Sequence, residues 1–194
     1  MTRRKPLPDP SAAPARKTRT TRPRTVDLEH YVPAYLTWIA NKLSRGASQS
    51  YLATFDVGIE TWRCLVLLAI EGSISAQQVS RIIGMDKGSV SRCFKSMQER
   101  GLIRTELDAS DGRLRIAVLT EAGRALHDQI IGVALERERA FLSVLSVAEV
   151  ELLLGMLRRL HENLPAVEAA TEAYLGRHFP GAARPAADDD GAAG

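Results

Sequence analysis

Metal-ligand spacings, catalytic constellations and membrane-length apolar runs are all missing from this chain of 194 residues. Its four histidines, His30, His127, His161 and His178, are scattered, without a His-x-x-x-His or Cys-x-x-Cys spacing or grouped carboxylates, so no metal site is expected. There is no glycine-rich phosphate loop, nucleophile elbow or acid pair at a meaningful spacing, which argues against an enzyme and leaves no cofactor to hold. The longest apolar run, Cys64 to Ile70, is far too short to span a bilayer. Thr2-Arg3-Arg4-Lys5-Pro6-Leu7 has a twin-arginine look, but the apolar region of about 7 to 15 residues that an export signal needs does not follow. A cytoplasmic protein with no membrane association is therefore expected. Only two cysteines occur, Cys64 and Cys93, each on the apolar face of an expected helix, where a free thiol packs as a small hydrophobe. A thiol-based redox switch is the alternative use of the pair. The first expected helix, where residues 26–50 lie, carries no cysteine.

What is present supports one domain with loose ends. Hydrophobic residues make up 45% of the chain, enough for a single core at this length. Residues 1–25 hold eight Lys or Arg against one acid, with repeated prolines and almost no large apolar side chain, and residues 181–194 are Ala, Gly and Pro around Asp188-Asp189-Asp190. Neither end can offset the entropy of ordering by burial, so both are expected to be disordered tails. They also carry the charge. Of the formal +3, the first tail supplies +7 and the last −2, leaving −2 for residues 26–180, so net basicity says nothing about a nucleic-acid-binding fold. Local clustering of cations has to carry that argument.

Such clustering occurs between residues 75 and 120. Ser75-Ala76-Gln77-Gln78 has capping-box spacing, and Val79, Ile82 and Ile83 give the helix that follows an apolar side. Gly84 supplies a turn and Asp86 caps a second helix running from Lys87 to Arg100. There Val90, Cys93, Phe94 and Met97 fall at i, i+3, i+4 and i+7, one stripe facing a core, while Gly88, Arg92 and Lys95 point the other way, flanked by Ser89, Ser91 and Ser96. Small and hydroxylated residues among isolated cations suit a helix that must lie deep in a major groove, because bulky neighbours would hold it off the base edges. After Gly101, a candidate left-handed cap, Leu102 to Leu107 and Arg113 to Leu119 alternate as strands around the turn Asp108-Ala109-Ser110-Asp111-Gly112. Helix, turn, helix and basic hairpin in that order make a winged helix-turn-helix. The expected DNA contacts are Lys87, Ser89, Ser91, Arg92 and Lys95 on the helix, with Arg113 and Arg115 on the wing, where a cation can enter the electronegative minor groove.

Four motifs in register resemble the MarR (multiple antibiotic resistance regulator) family: Met85-Asp86-Lys87-Gly88-Ser89-Val90-Ser91-Arg92, Glu99-Arg100-Gly101-Leu102-Ile103-Arg104, the Asp111-Gly112-Arg113 wing, and Leu119-Thr120-Glu121-Ala122-Gly123. A looser likeness covers about residues 28–165. The resemblance implies a mainly α fold with a small β-wing, in which a winged helix-turn-helix lobe (about 55–120) sits beside a lobe of long dimerisation helices (about 27–50 and 120–175), together filling residues 26–175. It implies a homodimer whose recognition helices enter successive major grooves of palindromic, double-stranded operator DNA, and it implies that Asp111 braces Arg113. Many members carry a second arginine directly after that aspartate, where this chain has Gly112.

The flanking segments are patterned for pairing. Tyr31, Tyr35, Trp38, Ile39 and Lys42 line one side of a helix expected from about Asp27 to Arg45; Leu126, Ile130, Val133, Arg137 and Phe141 line a long helix after Thr120; and Val150, Leu153, Leu157, Leu160 and Leu164 follow a second capping box at Ser146-Val147-Ala148-Glu149. Such stripes exceed what a small winged-helix core can bury, which points to a second copy as partner. Aromatic residues are only 5% of the chain, yet they concentrate in residues 31–62. Tyr31, Tyr35, Trp38 and Trp62, with Arg63 as a cation, are candidates for the wall of an effector pocket, because family members often take a small aromatic acid or phenol between their two lobes. The same spacing also suits ordinary core packing. The leading expectation is a ligand-responsive regulator, a repressor released by a small aromatic effector. A winged-helix module for DNA architecture or protein interaction is the alternative, beside the thiol-based regulator.

Overall fold

A computed structural model describes residues 25–107 and 114–181. The expected tails therefore lie almost wholly outside the described residues, as do Asp111 and Arg113 of the wing. Among the described residues, seven helices and three short strands follow in the order α1 (Val32–Phe55), α2 (Ile59–Glu71), β1 (Ser73–Ile74), α3 (Ala76–Ile83), α4 (Lys87–Glu99), β2 (Ile103–Leu107), β3 (Arg115–Leu119), α5 (Glu121–Leu142), α6 (Val147–Glu162) and α7 (Leu164–His178). The strands form an antiparallel sheet in the order β1-β3-β2. Mainly helical, with a small sheet on one lobe, this is the expected fold class.

Three boundaries differ from the pattern-based expectation, each for a local reason. Helix α1 starts at Val32, with Pro33 in its first turn, where a missing N–H leaves no bond unmade, and it runs on past Arg45. Its second half continues because it is anchored: Ala47 and Tyr51 are buried, and Gly46 lies under the Arg137 guanidinium, where a Cβ would approach Nη2 to 3.2 Å. Asp56 ends the helix in the left-handed region at φ 56°, its amide donating to the Leu52 carbonyl at 3.2 Å. The C-terminal stripe divides into α6 and α7, since a continuous helix would need the Pro165 nitrogen to donate to the His161 carbonyl, and proline has no such proton. Strand β1, with Ser73 opposite Val118 and Ile74 opposite Ala117, is two residues long and too short to show an alternation.

The core gathers around α2. Cys64, Leu65 and Leu68 are fully covered, packed with Val79 of α3, Val90, Phe94 and Met97 of α4, Ile74, Ile103 and Ala117 of the sheet, and Ile130 of α5. Ile82, expected on the inner side of α3, is instead 49% exposed; Val79 and the partly buried Ile83 carry that face. Helices α6 and α7 contribute no buried residue, and α6 turns from α5 by 103°. Their large apolar side chains are open to solvent, Leu152 and Met156 among them, as are Val32, Tyr35, Leu36, Trp38 and Ile39 on the first half of α1. Among the described residues no single helix is long and apolar enough to cross a membrane.

One junction ties the lobes together. Gly101 takes φ 69° after α4, and Leu102, buried behind it, accepts the Thr120 amide at 3.0 Å on its carbonyl. The Thr120 hydroxyl donates to the Gly101 carbonyl at 2.6 Å and accepts the Gly123 amide at 3.1 Å as the N-cap of α5. Gly123 is buried so tightly in the first turn that a Cβ there would lie 2.0 Å from the Leu102 carbonyl oxygen. Because the obstacle is backbone, relief requires moving α5 away from the end of α4. Gly123→Ala is therefore expected to cost roughly 1–3 kcal/mol, read as a lower urea midpoint at unchanged m-value; an unchanged midpoint would show that the junction yields freely.

Candidate nucleic-acid interface

Helix α4 is presented by two caps and a turn. The Ser75 hydroxyl, in a residue only 3% exposed, accepts the Gln78 amide at 3.2 Å, and Gln78 Oε1 accepts the Ser75 amide at 2.9 Å, completing the capping box of α3. Gly84 leaves α3 at φ 66°, and the Ser80 hydroxyl donates to the Met85 carbonyl at 2.6 Å across the turn. Asp86 Oδ1 then accepts the Ser89 amide at 2.8 Å as the N-cap of α4. Hydrogen bonds from Ser89, aided by Arg92, hold the Asp86 carboxyl below its ordinary range.

The outward surface of α4 carries the expected residues. Lys87, Gly88, Ser91, Arg92 and Lys95 are exposed and Ser89 is half-buried, while Val90, Phe94 and Met97 face the core. Arg92 Nη2 donates to Ser89 Oγ at 2.7 Å, so the arginine lies back along its own helix toward the cap. Gly88 permits this: a Cβ there would lie 3.3 Å from Arg92 Nη1 and 3.2 Å from Asp86 Oδ1. Lys95 is 4.0 Å from Glu99 in an exposed i,i+4 pair. Such exposed contacts are worth about 0–1 kcal/mol each, so they orient these cations without withholding them.

Strands β2 and β3 pair from Ile103 opposite Leu119 to Leu107 opposite Arg115. This places the exposed Arg115 at the last described rung of the hairpin, on the approach to Arg113 and Asp111, while Arg104 lies 3.7 Å from Glu106, two residues along the same strand β2. The other end of α4 is held by a residue that sequence patterning missed: Arg100 Nη1 donates to the Asp56 carbonyl at 2.6 Å, and Nη2 lies 3.4 Å from Asp56 Oδ2. Arg100 thus hooks the last turn of the reading helix onto the turn that ends α1. Only its place in the Glu99-Arg100-Gly101 motif hinted at a role.

Behind this lobe, α1, α2 and α5 enclose an open cavity of about 690 Å³. Its lining is mainly apolar, including Leu43, Ile59, Trp62, Val66, Ile131 and Phe141, with Arg124, His127 and Arg137 as nitrogen-bearing groups and Glu138 as an acid. Trp62 stacks on His127 at 5.5 Å between ring centroids and meets Tyr51 edge-on at 5.9 Å, so an aromatic chain links the three helices. Burial pushes the Tyr51 phenol up against the opposing pull of Arg137, whose Nη2 donates to the Leu43 carbonyl at 3.0 Å. Of the five residues expected to form the effector wall, Trp62 lines this cavity. Arg63 is adjacent on α2 but donates to Ser44 Oγ at 2.9 Å, and Ser44 is itself part of the lining. Tyr31, Tyr35 and Trp38 are not brought there; Tyr31 lies exposed just before α1 and Tyr35 and Trp38 lie exposed on its first half, in contact at 5.6 Å. A wall made of all five is not assembled within one chain, because α1 extends past the end of α2. Its place is taken by α5 residues, His127 and Arg124 above all, which carried no recognisable spacing.

The family model described as MarR family matches residues 55–114, spanning α2 to the wing. A MarR/EmrR family transcriptional regulator from Acinetobacter sp. ADP1 is 30% identical, with a TM-score of 0.68 over 73% of this chain and 99% of its own. Two more distant structures share the fold. They are MepR of S. aureus in complex with DNA (22% identity, TM-score 0.61, 69% of this chain and 98% of that one), and PcaV of Streptomyces coelicolor in complex with its natural ligand (20% identity, TM-score 0.59, 72% and 97%). With a winged helix-turn-helix whose second helix presents small and cationic residues outward, and with this likeness along nearly the whole of the Acinetobacter protein, the chain belongs to the MarR family of DNA-binding transcriptional regulators.

Proposed function

We propose that the protein is a homodimeric repressor that reads a palindromic operator and is released by a small aromatic effector held in the α1–α2–α5 cavity. The observation that carries this reading is the division of its exposed surface. Helix α4 shows solvent small polar and cationic groups, whereas α6, α7 and the first half of α1 show it large apolar ones. The first surface suits base edges and phosphates. The second suits a second copy, since contiguous apolar faces of this extent are seldom left uncovered in monomers. A two-fold dimer sets two α4 helices about one DNA turn apart, roughly 34–36 Å, which is what a palindrome demands. Occupying such a site in a promoter hinders polymerase, hence repression. Arg113 and Arg115 then follow the minor groove beside each recognition helix, with Asp111 bracing Arg113, and Lys87, Ser89, Ser91, Arg92 and Lys95 contact the major groove.

The effector reading is supported by the cavity's position and chemistry. Apolar walls with Trp62 and His127 fit an aromatic ring, and Arg124 and Arg137 can meet a carboxylate or phenolate. The cavity touches α5, which leads through Thr120 to the end of α4, so a ligand that prefers a different α1–α5 spacing shifts the separation of the two reading helices. Only such a preference matters, because equal affinity for both spacings shifts nothing. The distant relative bound to its natural ligand and the one bound to DNA make both capacities reasonable within this fold.

Three outcomes test the proposal. In size-exclusion chromatography with light scattering the protein should run at twice its chain mass and Leu160→Asp should shift it toward monomer; a monomeric wild type would refute the dimer. On a palindrome recovered by footprinting the DNA that flanks the coding region, Arg92→Ala should weaken binding by about 10- to 100-fold, corresponding to about 1–3 kcal/mol, with the fold unchanged. Loss of less than twofold would remove Arg92 from base reading. Finally, saturating 2-hydroxybenzoate should raise the melting temperature by several degrees, as about 2.7 kcal/mol of ligand stabilisation at a hundredfold excess over Kd implies for a domain of this size. Ala134→Phe, which fills the cavity, should abolish that shift while DNA binding persists; a shift that survives it would place the ligand elsewhere.

A further inference from the structure

Two guanidinium groups converge on one turn of α1 at the edge of the cavity, and neither meets an acid there. Arg63 of α2 donates to Ser44 Oγ at 2.9 Å, and Arg137 of α5 donates to the carbonyl of Leu43, the residue before, at 3.0 Å. Among the described residues no carboxylate is ion-paired with either. Gly46 makes room for Arg137: a Cβ there would lie 3.2 Å from Nη2 and 3.6 Å from Nη1, so the guanidinium rests on a bare face of the helix. Glycine inside a helix is destabilising relative to alanine, and the seat for Arg137 gives this one a local reason. Arg137 also differs from the other nitrogen-bearing groups of the lining. Arg124 is exposed, where water already serves it and a carboxylate adds little. His127 is stacked on Trp62, with its Nδ1 2.8 Å from Asp128 Oδ1. Arg137 is half-buried and donates only to a neutral oxygen. That oxygen does not depend on it, because Leu43 lies within α1, where the helix's own amide four residues on serves the carbonyl. A carboxylate matches the guanidinium fork with two parallel bonds and the opposite charge, which a single carbonyl cannot do.

We infer that Arg137 is the anion-selecting residue of the α1–α2–α5 cavity, and that an arene carboxylate bound there draws its guanidinium off the Leu43 carbonyl and so unfastens α5 from α1. The inference rests on the effector reading given above and specifies its chemistry: a flat ring against Trp62, with one carboxylate directed at Arg137. It also gives the change a location. Arg63 still ties α1 to α2 when Arg137 leaves, so the contact that loosens is the one between α1 and α5. Those two helices hold the end of α4 through separate contacts, α1 through Asp56 with Arg100, and α5 through Thr120 with Leu102. A change in their spacing therefore reaches α4 without the ligand touching it. Carbonyl and ligand compete for one guanidinium, so weakening the bond to Leu43 strengthens the hold on the anion, a sign that a merely structural role for Arg137 does not give.

The test measures by calorimetry, on the full-length protein, the binding of 2-hydroxybenzoate and of 2-hydroxybenzamide, which has the same outline without the carboxylate charge. The wild type should prefer the carboxylate by about tenfold to a hundredfold, the range for a hydrogen bond to a charged group. Arg137→Gln should bring the two compounds within about twofold of each other, while Arg124→Gln keeps the preference. Arg137→Lys, which keeps the charge but not the fork, should fall between, and it serves if the glutamine variant does not fold. Gly46→Ala, which crowds the flexible end of the arginine, should bind the carboxylate about twofold to tenfold more tightly, the net worth of the one hydrogen bond it disturbs, and the amide no differently. On operator DNA the carboxylate should lower wild-type affinity by about fivefold or more and leave that of Arg137→Gln unaltered. Equal binding of the two compounds by the wild type, or a preference that survives Arg137→Gln, would overturn Arg137 as the selector and leave the effector reading standing. Weaker carboxylate binding by Gly46→Ala would overturn the exchange of partners. Binding of neither compound would overturn the effector reading and this inference with it.

Discussion

The carbonyls of Gly101 and Leu102 are where the architecture is decided. The first takes the Thr120 hydroxyl and the second the Thr120 amide, and Gly123 is pressed against the same peptide with no room for a side chain. Four elements end or begin there: the helix α4, both wing strands and the long helix α5. Because these are short-range contacts to backbone in a buried place, the angle between α4 and α5 is set rather than averaged. Arg100 adds a second fixed point by hooking the end of α4 to the turn that closes α1. A recognition helix held at its base by both lobes moves when their spacing moves. Under the function proposed above, that is the mechanical requirement for a ligand in the cavity between α1, α2 and α5 to reach the recognition helix.

Much of the winged helix-turn-helix was legible in the sequence because its determinants are local. Ser75 with Gln78, Gly84, Asp86, Gly101 and Thr120 each act within a few residues, and each occupies the capping or left-handed conformation its side chain favours. The heptad-like stripe of α4 was legible for the same reason, and with it the outward set Lys87, Ser91, Arg92 and Lys95. What could not be read was tertiary in origin. The Arg137 bond to Leu43 joins residues far apart in the chain, and the stacking of Trp62 on His127 depends on α5 crossing α2. Tyr31, Tyr35 and Trp38 share the composition of a pocket wall, but which part of α1 lies beside α2 is not encoded in their spacing. They belong instead to the apolar face that one chain leaves open.

The two cysteines show the same limit from the other side. Each sits on an apolar stripe, and each stripe correctly faces the core; that reading describes them singly as packing residues. The partners of Cys93 emerge only when α4 is laid on α2, which brings Thr61 to its sulfur beside Met97 of its own helix.

Strength is distributed unevenly over the molecule in a way that fits its use. The scaffold beneath α4 is buried and hydrogen-bonded through backbone, whereas the outward cations are held by exposed contacts, Arg92 to Ser89 and Lys95 to Glu99, worth about 0–1 kcal/mol apiece. A well-formed bidentate contact with a base is worth about 1–3 kcal/mol, so in the proposed role of these residues such a contact would exceed those local partners and the side chains could be re-aimed at little cost. The helix carrying them cannot be re-aimed so easily, because that would strain the Gly123 contact. Specificity in such a molecule is controlled by where the helix stands rather than by whether its side chains are available. A change that shifts α4 by a fraction of an ångström therefore acts on the one variable that the surface contacts do not already concede.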